Sequence, residues 1–159
     1  MTRIGIGYDV HRLDAGEDLY IGGIKIPSNV GSVGHSDGDA LCHAIVDALL
    51  GAAGLGDIGK YFPSSDDSWK DVPSSVFLID ALSRINNAGF NINNIDTTII
   101  IQKPRLENYV IEIRESLSKM IDLDESRINV KATTTDGLGT VGDGHGWAVI
   151  AVVSLIKLS

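Results

Sequence analysis

Residues 147–158 read WAVIAVVSLIKL, apolar almost throughout. A strand sends successive side chains to opposite faces, so a strand here presents apolar surface on both sides. One face packs on helices, and the other must be hidden as well. Burial against sister subunits does this, so the stretch predicts an oligomer.

The elements around it complete the fold class. Residues 3–9 (RIGIGYD) alternate as a strand, and 19–26 (LYIGGIKI) read as a second, ended by Pro27. A Gly/Ser loop runs to Gly34. The clearest helix covers 38–53, where Leu41, Ala44, Ile45, Ala48 and Leu49 recur at helical spacing. Ser36 or Asp37 can cap its first turn, and Gly54 and Gly56 suit its end. Residues 57–73 read as a long polar loop, the kind that is often functional. A helix over 74–88 follows, with Leu78, Ala81, Leu82 and Ile85 on one face and Gly89 closing it. Residues 95–102 form a β-branched strand broken by Pro104, 106–121 a third helix, 128–134 a strand and 136–146 a glycine-dense loop. The order β-β-α-loop-α-β-α-β-β predicts an α+β fold: one domain over 1–159, a small mixed sheet covered on one face by helices.

Composition narrows the function. The formal net charge of −8 argues against a nucleic-acid binder, which carries a basic footprint. An anionic substrate stays open, because a metal ion reverses the local field. Cys42 is the single cysteine, so no intramolecular disulfide forms. It lies inside an apolar helical pattern and reads as a packed core thiol. No segment approaches the length of a membrane span and no leader pattern opens the chain, so a cytoplasmic location is expected.

Three clusters can carry chemistry. Asp9 and His11 are two apart at a strand end and share a face, and His43 lies on the first helix four residues from both Asp39 and Asp47, the three making a polar stripe beside the apolar face. An Asp-His-His set with an open fourth position suits catalytic zinc. The same residues also fit a turn histidine and a solvated helix face. The run His35-Ser36-Asp37-Gly38-Asp39 opens a helix, where free N–H groups favour anions. Ser36 there either caps or binds phosphate. Thr133, Thr134, Thr135 and Asp136 offer hydroxyls and a carboxylate to phosphate oxygens and a hard cation such as Mg²⁺, or form a plain strand end. Strand alternation would send Thr133 and Thr135 to one face and Thr134 to the other. Asp57 and Asp66 either contact substrate hydroxyls or are surface acids. The glycines from Gly137 to Gly146 precede a strand, not a helix, which excludes a dinucleotide loop or P-loop.

Four segments taken together resemble the 2-C-methyl-D-erythritol 2,4-cyclodiphosphate synthase family: GIGYDVHRL, HSDGDALCHAIVDALLGAAGLGDIGKYFP, IDTTIIIQKPRL and NVKATTTDGLG. They follow the family's order and cover nearly the whole length. The resemblance implies a phosphorus–oxygen lyase of the non-mevalonate isoprenoid precursor pathway. Its substrate would be 4-diphosphocytidyl-2-C-methyl-D-erythritol 2-phosphate and its products the cyclic diphosphate and CMP. It also implies a homotrimer, with sheets packed around a three-fold axis and active sites between subunits.

Residue by residue, it implies zinc on Asp9, His11 and His43, and a second divalent ion, Mg²⁺ or Mn²⁺, on Asp136. His35 and Thr134 match the positions credited with transition-state stabilisation. Substrate contacts fall on Asp9, His11, His35, Ser36, Asp57, Ile58, Gly59, Phe62, Pro63, Ser64, Ser65 and Asp66. Ile101, Gln102, Lys103, Pro104, Arg105, Leu106 and Glu107 match the segment that receives cytosine, from the neighbouring subunit. Thr133, Thr134, Thr135, Asp136, Thr140 and Asp143 complete the set. Departures are Asp136 where glutamate is more usual, Ser64 where many members carry aspartate, and Asp143 and His145 where some carry arginine and glutamate near the three-fold axis. Two other readings remain: a metal-dependent phosphohydrolase of a related nucleotide diphosphate, and a nucleotide-binding module without activity.

Overall fold

A computed structural model describes residues 1–158. Its centre is a mixed five-stranded sheet in the order β4-β1-β7-β5-β6. β1 (Thr2–Ala15) pairs antiparallel with β7 (Gly146–Lys157) from Thr2↔Ile156 to Arg12↔Gly146, and β7 pairs antiparallel with β5 (Phe90–Ile100). β5 and β6 (Ile128–Thr133) are parallel, joined through helix α4 (Val110–Ile121). β4 (Val30–Val33) pairs with the far end of β1. Helix α1 (Ala40–Ala53) lies over β1 and β7, α3 (Ser74–Asn87) packs on α1, and α4 sits against β6. The expected α+β architecture is present.

Several boundaries differ from the sequence reading. β1 runs on to Ala15, so Asp9 and His11 lie within the strand, not at its end. Residues 19–26 are two short strands, β2 (Leu19–Ile21) and β3 (Ile24–Ile26), joined by Gly22 and Gly23 at φ 62° and 80°. Positive φ at both turn residues is what a tight two-residue hairpin demands. The expected Gly/Ser loop contains β4, and the polar loop 57–73 contains the short helix α2 (Ile58–Tyr61) and a single 3₁₀ turn (Asp67–Trp69). β5 starts earlier than expected because Phe90 and Ile92 are buried, past a bulge between Ile92 and Asn94. The third helix begins at Val110 rather than 106. The glycine-dense loop holds one further helical turn, α5 (Gly139–Gly142).

The cap of α1 is also different. Asp39, not Ser36 or Asp37, accepts from the Cys42 N–H at 3.1 Å. Its second oxygen accepts from Gly23 N–H at 2.7 Å, clipping the β2–β3 hairpin to the helix start. Asp39 is completely buried, which pushes its carboxyl above the ordinary range. At the other end Gly54 closes the helix in the left-handed conformation, as expected.

The core lies between sheet and helices. On β7, Trp147, Val149, Ala151, Val153 and Leu155 are fully buried, and the Trp147 indole N–H donates to Ser32 Oγ at 2.8 Å. Leu41, Ile45, Leu49 and Leu50 of α1 are equally buried, each contributing about 1.5–3 kcal/mol. The alternate residues face outward. Ile4 (72 % exposed), Ile6 (70 %), Tyr8 (59 %) and Val10 (54 %) lie beside Ile150, Val152 and Ile156. A contiguous apolar sheet face of this kind marks an interaction surface.

The contact between α1 and β1 depends on glycine. A Cβ on Gly7 would sit 1.8 Å from the Ala44 carbonyl oxygen, and one on Gly5 would sit 2.0 Å from that of Ala48. Both obstacles are backbone and cannot swing aside. Gly7→Ala is therefore expected to cost about 3 kcal/mol or more in urea unfolding, at or beyond the upper end for overpacked sites. Gly51, also on α1, has open space around its Cβ position. Gly51→Ala is expected to stabilise by about 0.5–1 kcal/mol.

Candidate metal centre and substrate site

On the inner face of β1 the sequence Gly5, Gly7, Asp9, His11 goes from bare backbone to side chains that can ligate a metal. The glycines let α1 approach, and His43, next to Ala44, then meets Asp9 and His11. His11 Nε2 lies 2.9 Å and His43 Nδ1 3.1 Å from the same Asp9 oxygen. The two ring nitrogens are 3.2 Å apart. A tetrahedral zinc at about 2.0–2.1 Å from each ligand separates ligand atoms by about 3.3 Å. The three donors thus fit one small cation with a fourth position free. Among the described residues this is the one cluster of His, Cys, Asp or Glu donors that close together.

The electrostatics match. Burial raises the Asp9 carboxyl, but hydrogen bonds and charge from His11 and His43 outweigh it and hold its pKa at about 2. Burial lowers His11, and the hydrogen bond and charge of Asp9 outweigh that and raise it. His11 Nδ1 lies 3.1 Å from the Val33 carbonyl, which can only accept, so the Nδ1 proton is held there and Nε2 faces Asp9.

The expected polar stripe of Asp39, His43 and Asp47 does not form. Asp39 is committed to its cap, and Asp47 accepts from the Ile58 N–H at 2.8 Å, fixing the start of α2. Burial pushes the Asp47 carboxyl upward. Cys42 is buried, Asp39 accepts from its thiol at 3.4 Å, and burial raises its pKa well above the ordinary value; it is an inert core thiol.

A cavity of about 210 Å³ opens over the three donors, lined also by His35, Ser36, Ile58, Phe62 and Ser64. Trp69 and Phe77 form its remaining wall, two residues that sequence reading missed. Phe62 packs on Phe77 at 4.6 Å and edge-on to Trp69 at 5.0 Å between ring centroids. The signal for Phe77 was its place on the buried face of α3; nothing local marks Trp69. His35 Nε2 lies 3.0 Å from the Asp66 carbonyl and donates to it. Asp57 and Asp66 act as local caps, accepting from Lys60 N–H and Ser68 N–H at 3.0 Å.

A second cavity, about 400 Å³, lies past the C-terminal ends of the parallel pair β5 and β6, where sheets of this kind place ligands. Ile101, Gln102, Pro104, Arg105, Leu106, Glu107, Thr133 and Thr134 line it. A broader groove beside it reaches Lys103 and Asp136. Strand geometry ends at Thr133, so the expected alternation of Thr133, Thr134 and Thr135 does not hold. Thr134 Oγ1 instead reaches toward Asp136, and Thr135 Oγ1 donates to the Leu138 carbonyl. Gly59, Pro63, Ser65, Thr135, Thr140 and Asp143 line neither cavity. Asp57 and Asp66 likewise line neither, and within one chain the expected site residues that do line these cavities divide between the two.

A profile described as the YgbB family matches residues 2–156. The chain belongs to that family. A 2-C-methyl-D-erythritol 2,4-cyclodiphosphate synthase from Alkaliphilus oremlandii is 50 % identical over 155 residues, covering 98 % of this chain and 99 % of that protein. Among solved structures, the bifunctional IspDF from Campylobacter jejuni superposes with a TM-score of 0.96 at 40 % identity, covering 100 % of this chain and 43 % of that one. The CDP complex of IspF from Plasmodium falciparum gives 0.87 at 37 % identity, covering 99 % and 97 %. The resemblance read from sequence is therefore correct.

The Asp9–His11 pair makes a pH prediction for the metal-free protein. Asp9, depressed on folding, stabilises above its ordinary value of 3.8, and the contribution is lost as pH falls through about 2. His11, raised on folding, stabilises below 6.5, and the contribution is lost as pH rises through its folded value. Urea unfolding of metal-free protein and its Asp9→Asn variant should therefore differ most between these ordinary values, with the difference shrinking as pH rises through the folded value of His11 or falls toward about 2.

Proposed function

We propose that this YgbB-family chain converts 4-diphosphocytidyl-2-C-methyl-D-erythritol 2-phosphate into 2-C-methyl-D-erythritol 2,4-cyclodiphosphate and CMP, in the non-mevalonate route to isoprenoid precursors and in the cytoplasm. The observation that carries the reading is the Asp9, His11, His43 triangle opening into a small cavity, in a chain half identical to a synthase of that name. An oxygen of the 2-phosphate attacks the β-phosphorus, the bond from that phosphorus to the bridging oxygen breaks, and CMP leaves with the bridging oxygen. The attack is intramolecular, so holding the substrate folded supplies much of the effect, up to roughly 7–11 kcal/mol in well-oriented cases.

Asp9, His11 and His43 would hold zinc and Asp136 a second divalent ion, Mg²⁺ or Mn²⁺, which supply Lewis acidity and charge neutralisation at the phosphates. A lone carboxylate fits Mg²⁺, which commonly binds one or two carboxylates together with substrate phosphates. Asp136 is the shorter-armed residue at a position where glutamate is more usual.

Thr134 donates its hydroxyl to a phosphate oxygen in place of its long 3.4 Å contact with Asp136. His35 has Nε2 engaged with Asp66, so its ring serves phosphate through Nδ1, which requires the doubly protonated form. Ser36 and the segment Asp57–Asp66 receive the erythritol phosphate portion. Ile101–Glu107 receive the cytosine, and the CDP complex of the Plasmodium falciparum relative supports a ligand of the cytidine diphosphate type.

We assign a homotrimer in which the metal half of one copy meets the cytidyl half of the next. Two observations support it: the site residues divide between separate cavities, and the apolar face of β1 and β7 is uncovered in one chain. Ile6→Glu is expected to leave the subunit folded and prevent assembly, read by sedimentation equilibrium.

The function is tested by incubating the protein with the cytidyl substrate and Mg²⁺ or Mn²⁺, following CMP release and the phosphorus NMR of the second product. A cyclic diphosphate is expected. Open-chain phosphates would indicate a hydrolase, and nucleotide binding without turnover an inactive module. His43→Ala is expected to lose zinc and turnover together.

A further inference from the structure

We infer that Ser74 and Asp37 form a positioning pair for His43, holding its ring in the tautomer that presents a bare Nδ1 to the metal; this deepens, and rests on, the metal reading of Asp9, His11 and His43. The argument is one of donors and acceptors. Asp37 Oδ2 accepts from the Ser74 N–H at 2.9 Å, and Oδ1 accepts from the Ser74 hydroxyl and from the Asp39 N–H at 3.2 Å. An ionised carboxylate has no proton to give, so the Ser74 hydroxyl proton is committed to Asp37. Ser74 Oγ then faces His43 Nε2, 2.8 Å away, with a lone pair only. The Nε2 proton must be on the ring, and Nδ1 is left unprotonated toward Asp9 and His11.

Burial gives the arrangement its strength. Ser74 is completely buried, so no water replaces its hydroxyl. Ser36 Oγ, 3.2 Å from the same nitrogen, is a longer second partner. Helix α3 has no side-chain cap of its own, with Pro73 at its start, and Asp37 supplies that cap from across the chain. The cap itself uses only the backbone N–H of residue 74. The hydroxyl adds a second bond to Asp37 and turns its lone pair to His43, a contact that the cap does not require, and this separates a positioning role from a purely structural one. His11 is held by an equivalent device, its Nδ1 against the Val33 carbonyl.

Two substitutions keep the cap and disturb the ring. Ser74→Ala removes the acceptor for Nε2–H. Asp37→Asn keeps a good capping group but places an amide donor beside Ser74 Oγ, freeing the hydroxyl to donate to Nε2 and driving the ring proton to Nδ1. Zinc affinity, measured by chelator competition, is expected to fall about 10- to 100-fold in each folded variant. The visible spectrum of the cobalt-loaded protein should change with it. On the unmodified metal-free chain with the His43 ring neutral, long-range proton–nitrogen NMR is expected to show its one proton on Nε2. A neutral ring with its proton on Nδ1 would overturn the pairing without recourse to any variant. So would folded variants that bind zinc as tightly as the unmodified chain. Failure of the unmodified chain to bind zinc would overturn the metal reading itself, while the NMR result judges the pairing separately.

Discussion

Strand β1 carries no side chain at Gly5 and Gly7 on the face that meets α1, and the carbonyls of Ala44 and Ala48 occupy the space where those side chains would be. Close packing of helix on strand is the constraint on which the site depends. Two residues further along β1, Asp9 and His11 point to the same face, and His43 is carried on the turn of α1 that the glycines admit. The metal donors sit about 3 Å apart because two backbones approach without side chains between them. A bulkier residue at either glycine would lift the helix, and the donor triangle would open with it.

A polar scaffold ties this contact to the rest of the molecule. Asp39 caps α1 and clips the β2–β3 hairpin, Asp37 caps α3, and Asp47 fixes the start of α2. Three aspartates therefore set the relative positions of the elements that wall the metal cavity. A buried acid usually costs stability unless it is hydrogen-bonded. Each of these has a backbone N–H aimed at it, which explains acidic groups so close to the donor triangle that are not part of it.

The sequence revealed architecture and the candidate metal donors better than connections. The run of β7 was legible because both of its faces carry apolar residues, and α1 because burial of one face makes Leu41, Ala44, Ile45, Ala48 and Leu49 recur at helical spacing. Asp9 and His11 were legible as a pair because spacing of two on a strand fixes a shared face. Caps were read less well: three polar residues stood within reach of the α1 start, and only the fold shows that Asp39 turns inward while Asp37 turns to α3. Thr134 and Thr135 were misplaced because a strand period was extended past the end of β6. Ser74 left no local signal, since His43 and Asp37 lie far away in sequence, and Trp69 sits in an irregular segment where no period predicts its contact with Phe62. The long segment resemblance supplied the reaction, which no periodicity encodes.

The central claim, that β1 and α1 together build a zinc site from two imidazoles and a carboxylate, is tested most directly by X-ray absorption at the zinc edge of the purified protein. The account predicts a four-coordinate ion with two imidazole nitrogens and light-atom ligands only, at about 2.0–2.2 Å. A sulfur ligand at about 2.3 Å, which would have to come from Cys42, or zinc without imidazole scattering, would contradict it.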